Sequence, residues 1–392
     1  MLRIILRKCR SGVSLFRKTR KMQKDSKKSF FLLLDDYLKL KKRKGIRFDE
    51  FFQYEFDKKD ENFKKAYLGE NEKRAYLDLL NPKKYYVVAR NKYFSHLFLE
   101  NVGIKTPCLY CYYDPEYVGI QGDGKIAYDL NTTLEILRKN NVQECVIKPV
   151  EGTHGVGVCL IRSMEYLADD CVMRRYDGDV VKLSEVLSTE AMIFEEIVKQ
   201  TRQFGDFNPS SVNTVRIVST LYPDGEVRFA SFWLRIGRSG RCVDNAGDGG
   251  NINASIDLND GTIYNSIQFN GWRNIKNIDS HPDTGVQLAG IKVDHWNRIK
   301  NEIVKFQQSM PILKAIGWDV AITDMGPVIL EINDFWDVTD QLVCIMNKRD
   351  EIRKCYLAWK SVEAKREKKL YRFERQNNEL SDSVLNKIIR HE

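Results

Sequence analysis

Two hydrophobic periodicities divide the chain. From 29 to 80, Leu, Phe, Tyr and Lys recur at helical spacing with no Pro and almost no Gly. This predicts two or three amphipathic helices, a cap ahead of the main domain. Asn81-Pro82 ends the run. Tyr85-Tyr86-Val87-Val88-Ala89 then reads as a strand, and Lys92 to Glu100 as a helix stopping before Gly103 and Pro107. Thr132 to Lys139 reads as a further helix. Beyond about residue 145, short apolar runs alternate with Gly-rich turns, the pattern of an α+β domain reaching about residue 340. Asp350 to Glu392 is charged and Pro-free and predicts one or two solvated helices. The chain therefore divides into a basic arm and helical cap (1–84), a small N-terminal α/β portion (85–145), the main domain (146–345) and charged C-terminal helices (346–392).

The most informative stretch is Gly317-Trp318-Asp319-Val320-Ala321-Ile322-Thr323, then Asp324-Met325-Gly326-Pro327, then Val328-Ile329-Leu330-Glu331-Ile332-Asn333. Apolar residues alternate on both sides of the turn, so two antiparallel strands are expected. A three-residue loop at Asp324-Met325-Gly326 would set Asp319 opposite Glu331. Asn333, two residues on, shares their face. Two carboxylates and an amide oxygen on one face repel unless a hard cation lies between them, and oxygen-only ligands suit Mg²⁺ held against phosphates. The bland alternative is a surface hairpin with incidental acids.

Charge sharpens the division. The net charge is +9, yet residues 1–28 alone carry eleven Lys or Arg and one Asp, so the rest is near −1. That argues against a basic nucleic-acid groove across the main domain and leaves a basic arm. Its apolar core is too short for a secretory signal. It reads either as a solvated tail or as a contact with an anionic membrane surface through Ile4, Ile5, Leu6, Val13, Leu15 and Phe16. No apolar run spans a bilayer. The nine cysteines are scattered, and the Cys108/Cys111 pair lacks the second pair or His of a zinc site. Unpaired cysteines point to a reducing cytoplasm, with the arm allowing a peripheral position at the inner face of the membrane.

Upstream of the hairpin, Val146-Ile147-Lys148-Pro149 delivers a lysine into a loop bearing Gly152, His154, Gly155 and Gly157. Glycines let backbone N–H groups close over phosphates while a lysine adds a point charge. It is not a P-loop, because no Gly-Lys-Ser/Thr ends it. The strand Ala191–Val198 ends in Glu195-Glu196, where edge backbone groups could meet an adenine rim. Arg216 and Arg235 each lie within an apolar strand and require an anion or an acid, with a structural salt bridge as the plain reading.

In this order the chain resembles the ATP-grasp superfamily, and within it the sugar-transfer-associated ATP-grasp family, from about Tyr85 to Gln341. The most specific stretches are Asn208–Ile217, Leu234–Arg238, Val243-Asp244-Asn245 with Gly249-Gly250, and Gly317–Ala321. The resemblance implies an α+β ATP-grasp fold, two lobes gripping ATP, with 146–345 as its catalytic domain. It implies that Lys92 lies near the α-phosphate and Lys148 bridges α- and β-phosphates, with Gly152, Gly155 and Gly157 in the lid. Glu195, Glu196 and Val198 would border adenine. Asp319, Glu331 and Asn333 would hold Mg²⁺, and Arg216 and Arg235 would face the transferring phosphoryl or acyl phosphate. Two departures stand out: no acid for the ribose hydroxyls is evident, and residues 1–84 align with nothing in the family's amino-terminal domain.

The superfamily's usual chemistry is ADP-forming ligation, in which a carboxylate is phosphorylated and an amine or hydroxyl displaces phosphate. This needs positioning and cations rather than a covalent catalyst, consistent with the absence of an obvious Ser-His-Asp or Cys-His set. The Gly-, Asn- and Asp-rich segment Asp244–Ala254 reads as a turn or as an acceptor-binding loop suited to sugar hydroxyls. A small-molecule carboxylate with an amine or sugar partner, in cell-surface polysaccharide synthesis, is the expectation. A kinase acting on a sugar-like hydroxyl and a nucleotide-binding scaffold for glycosyltransferases are the alternatives.

Overall fold

A computed structural model describes residues 2–117, 124–152, 155–187, 189–240, 244, 250–271, 273–343 and 348–389, with side chains described between 14 and 369. Helices α1 (Leu2–Asp25), α2 (Phe30–Lys44), α3 (Phe48–Gln53), α4 (Glu61–Ala66) and α5 (Glu70–Leu80) form the N-terminal cap. The basic arm is thus helical along α1. Local chemistry sets the cap's boundaries. The Ser29 hydroxyl and the Asp60 carboxylate each accept from a first-turn N–H, of Leu32 and Phe63. Gly45, at φ +63°, stops α2 in the left-handed conformation.

The strand expected at 85–89 is absent. A 3₁₀ turn (Lys83–Tyr85) and α6 (Val87–Arg90) occupy this stretch, with the N–H groups of Ala89 and Arg90 both donating to the Tyr86 carbonyl. Only Ala89 is buried while Val87 is half exposed, so the apolar run serves one helical face. Next come α7 (Lys92–Asn101), started by an Asn91 cap, and the first sheet, built from β1 (Leu109–Tyr113), β2 (Ile126–Ala127), β3 (Cys145–Pro149), β4 (Cys159–Tyr166), β5 (Cys171–Arg175), β6 (Val180–Lys182) and β7 (Met192–Glu195). Its order is β2-β1-β7-β3-β4-β5-β6. It packs on α8 (Leu130–Lys139) through Leu134, Leu137, Ile147 and Phe194, with α9 (Leu183–Val186) at its edge.

After α10 (Arg202–Phe207), a second sheet holds β8 (Thr214–Leu221), β9 (Val227–Ile236), β10 (Ile252–Ile256), β11 (Ile263–Phe269), β12 (Ile275–Asn277), β13 (Ala315–Thr323) and β14 (Gly326–Asn333). The order is β12-β11-β10-β9-β8-β13-β14, antiparallel at each pairing. One face carries Val215, Ile217, Leu234, Trp318 and Val320 and packs on α11 (Trp296–Ser309). The other carries Val218, Trp233 and Ile267 and meets the cap together with α12 (Lys348–Ile389). Both faces are covered, which explains why β8 and β13 are buried along their whole length. The charged C-terminus is a single helix.

Candidate active site

The acidic hairpin has the expected pairing by a different route. Asp319 lies opposite Glu331 and Gly317 opposite Asn333. The loop, however, is only Asp324-Met325, since Thr323 pairs with Gly326, which sits at φ +106°. The additional residue enters between Glu331 and Ile329, so Leu330 forms a bulge. Leu330 and Glu331 consequently both line the central cleft, as consecutive strand residues do at a bulge.

Cross-strand register brings the arginines to Asp319. Glu331, Asp319, Arg216 and Trp233 occupy one row across β14, β13, β8 and β9, and Arg235 pairs with Thr214 one step along. Arg216 grips Asp319 with two bonds, through Nε to Oδ1 and through Nη2 to Oδ2 at 2.7 Å. Arg235 donates from Nη1 to Asp319 Oδ1 at 3.1 Å and from Nη2 to Asp244 Oδ1 at 2.6 Å. Asp244 in turn accepts from the backbone N–H of Thr214 at 3.0 Å and from its hydroxyl. Both arginines therefore have carboxylate partners, all of them buried.

Glu331 is held differently. Among the described residues nothing hydrogen-bonds to its carboxylate or pairs with it. Burial, reinforced by the charge of Asp319, pushes its carboxyl above the usual range, against the pull of Lys92, Lys148 and Arg216. Burial would also raise Asp319, but the guanidiniums of Arg216 and Arg235 outweigh it and hold that carboxyl low. Asp244 and Asp319 keep Arg235 firmly protonated despite burial. The side-chain nitrogen of Asn333 reaches the Gly317 carbonyl at 3.4 Å.

The first sheet supplies the opposite wall. Lys148, on β3, pairs with Glu195 at the end of β7, because β3 and β7 are neighbours. Lys92, the first residue of α7, donates to the Gly152 carbonyl at 3.2 Å, and burial with nearby Lys148 lowers its pKa although Glu331 opposes this. Glu196 is tied to the strand entering β1: its N–H donates to the Cys108 carbonyl at 2.9 Å, and its carboxylate accepts from the Cys108 N–H at 3.3 Å. Val198 packs with Ala321 and Val328. Gly152, Gly155 and Gly157 have φ of +139°, +70° and +77°, and a Cβ at Gly157 would meet Pro149 Cγ at 2.8 Å.

These residues converge. A cleft of about 280 Å³ between the sheets is lined by every candidate site residue named above except Gly157. Its other walls include Val146, Leu160 and Val212, and at one side Trp233, Phe335, Trp336 and Asp337. Sequence reading missed this last group, although Asp334-Phe335-Trp336-Asp337 directly follows the acidic hairpin. Beyond Trp233 on the same face, Ser231, Asn253 and Ser255 are buried with polar atoms that find no protein partner. His154 and residues 245–249 lie outside the described residues, so the lid histidine and most of the proposed acceptor loop remain sequence expectations. His281 sits in a structured turn, accepting at Nδ1 from the N–H groups of Asp283 and Thr284. Burial raises the thiols of Cys108 and Cys111, the latter to about 12, and no group of three or more His, Cys, Asp or Glu poised for a metal occurs among the described residues. Asn333 lines the cleft beside Asp319 and Glu331.

Among solved structures the chain is similar to N5-carboxyaminoimidazole ribonucleotide synthetase from Thermotoga maritima, at 13% identity and a TM-score of 0.34 over 65% of this chain and 44% of that one. It is likewise similar to biotin carboxylase from Campylobacter jejuni, at 8% identity and a TM-score of 0.39 over 69% and 46%. The VanG D-Ala:D-Ser ligase from Enterococcus faecalis gives 13% identity and a TM-score of 0.37 over 68% and 61%. The chain spans about half the length of the first two. These likenesses are too loose to carry an assignment. Among curated proteins, none matches the chain's sequence. The sequence profile described as sugar-transfer associated ATP-grasp matches residues 71–352, most of the chain. The chain belongs to the sugar-transfer associated ATP-grasp family.

Proposed function

We propose that the chain is an ATP- and Mg²⁺-dependent, ADP-forming ligase that activates a carboxylate as an acyl phosphate for attack by an amine or hydroxyl. The observation that supports it best is the state of Glu331: a partly buried carboxylate on the wall of the cleft, without a direct partner among the described residues, beside Asp319 and near Lys92, Lys148 and Arg216. A carboxylate drawn partly out of water and left without a partner is costly. A hard cation carrying phosphate oxygens fits both the acids and the surrounding lysines.

On this reading Glu331, Asn333 and Asp319 would hold Mg²⁺, which would supply positive charge against the phosphates. Arg216 and Arg235, both bonded to Asp319 in the cleft wall, would face the phosphoryl being transferred. Lys92 and Lys148 hold the α- and β-phosphates, with Gly152, Gly155 and Gly157 leaving the backbone free to close over them. Val198, Glu195 and Glu196 border adenine, where Val146, Leu160, Val212 and Leu330 supply apolar surface. The carboxylate oxygen takes the γ-phosphoryl and ADP leaves. The nucleophile then adds at the carbonyl carbon and expels phosphate. Trp233, Asp244, Trp336 and Asp337 line the side of the cleft where an acceptor can enter. The setting in cell-surface polysaccharide synthesis draws on the family's description alone.

The test incubates the protein with Mg-ATP, pooled amino acids and uronic-acid sugars, and follows ADP against free phosphate. A ligase releases both together, only with both additions, and Glu331→Gln abolishes the release. ADP without phosphate would assign a kinase instead.

A further inference from the structure

A second surface, none of whose residues lines the cleft, lies on the first two helices. Phe31 of α2 is 80% exposed, Leu32 57%, Leu38 49%, and Phe16 of α1 51%. The half-buried Phe30 joins the helices: its ring centroid is 5.1 Å from Phe16 and 5.6 Å from Phe31. Phe31 and Leu38 are two helical turns apart and share a face. Contiguous exposure of this kind marks a contact surface rather than scattered surface leucines. Leu15, expected there from sequence, packs instead against the helical core. The side chains of Ile4, Ile5, Leu6 and Val13 lie outside the described residues.

The charge around the patch has one sign. Residues 14–44 hold twelve Lys or Arg against three Asp, a balance of +9. Arg17, Arg20, Lys24, Lys27 and Lys42 are exposed, and the Arg20 guanidinium lies 5.9 Å from the Phe16 ring centroid. Of the three acids, Asp35 is paired with Lys39 at 2.6 Å and Asp36 with Lys28 at 2.5 Å, leaving Asp25. No described helix is long and apolar enough to cross a membrane.

We propose that this face docks peripherally on an anionic lipid bilayer, with Phe16, Phe31, Leu32 and Leu38 entering the headgroup boundary and the cations meeting lipid phosphates. The charge argues against a second copy of the chain as the occupant, because two such faces repel. The inference is independent of the nucleotide chemistry proposed above.

The full-length protein is sedimented with vesicles of phosphatidylcholine alone or mixed with phosphatidylglycerol. The expected result is at least tenfold more protein bound to the anionic vesicles, with binding lost at high salt. The triple variant Phe31→Ser, Leu32→Ser, Leu38→Ser, shown by thermal unfolding to be folded, should bind at least fivefold less. Equal binding to both vesicle types, no sedimentation with either, or undiminished binding by the variant would overturn the proposal. So would a wild-type dimer that the triple variant converts to monomer.

Discussion

Asp319 and Glu331 face each other across one pair of strands yet titrate in opposite directions, because two arginines serve the first and none serves the second. That asymmetry has a consequence for stability. The Glu331 carboxyl titrates higher in the folded chain than in the unfolded one, so its protonation favours the folded state. Its contribution is therefore complete at low pH and is lost as pH rises through the raised range. Gln carries no charge to lose. Without nucleotide or metal, Glu331→Gln should unfold at a higher temperature than the wild type at pH 8, with the gap closing toward pH 4. Asp319 makes the opposite contribution, lost as pH falls, and its charge is one of the causes that raise Glu331, so removing the Glu331 charge relieves both acids at pH 8. Thermal unfolding across pH 4–8 checks this, and a variant less stable at pH 8 would show that Glu331 is satisfied in place. The acids themselves were legible in the sequence, because period-2 alternation sets Asp319, Glu331 and Asn333 on one face. Their arginine partners were not: Arg216 and Arg235 pair with Asp319 only through an order of three strands that spans more than 100 residues.

At the scale of elements, the hairpin shows how a correct register can rest on a wrong turn. A three-residue loop and a two-residue loop with a bulge both insert one residue between Thr323 and Glu331, and local pattern alone does not separate them. The failure at 85–89 has a similar cause, since a short apolar run fits a strand or one helical face equally well. The Gly-rich segment after β3 was legible as a loop, and Gly152, Gly155 and Gly157 all take positive φ there. Its last member carries a definite constraint: Gly157 combines φ +77° with a Pro149 Cγ that would stand 2.8 Å from any Cβ added there. Gly157→Ala should cost about 1–2 kcal/mol locally and displace the loop. The expected outcome is ATP binding weakened several-fold while the unfolding temperature falls by only a few degrees, measured by titration and melting. Unchanged ATP binding would show that the loop takes no part in holding nucleotide.

For the whole molecule, helical spacing over 29–80 indicated a cap and the family resemblance implied two α+β lobes, but neither showed how the cap is used. The N-terminal helices cover one face of the second sheet through Phe51, Phe52 and Tyr67, beside Trp233 and Trp336. They therefore close the core beneath the side of the cleft that Trp233 lines, a link between residues far apart in sequence. The family match begins at residue 71, after most of the cap, so this part of the chain has to be understood from its packing and its surface. The central claim concerns the cleft between the sheets, as a place where a cation and a polyphosphate are held together. Its most direct test is calorimetric titration of the full-length protein with ATP, with and without Mg²⁺, beside Lys148→Met and Glu331→Gln. The account predicts one ATP per chain, with affinity falling at least tenfold, about 1.4 kcal/mol, when Mg²⁺ is withheld or either residue is changed. Absence of ATP binding, or an affinity indifferent to Mg²⁺ and to both substitutions, would contradict it.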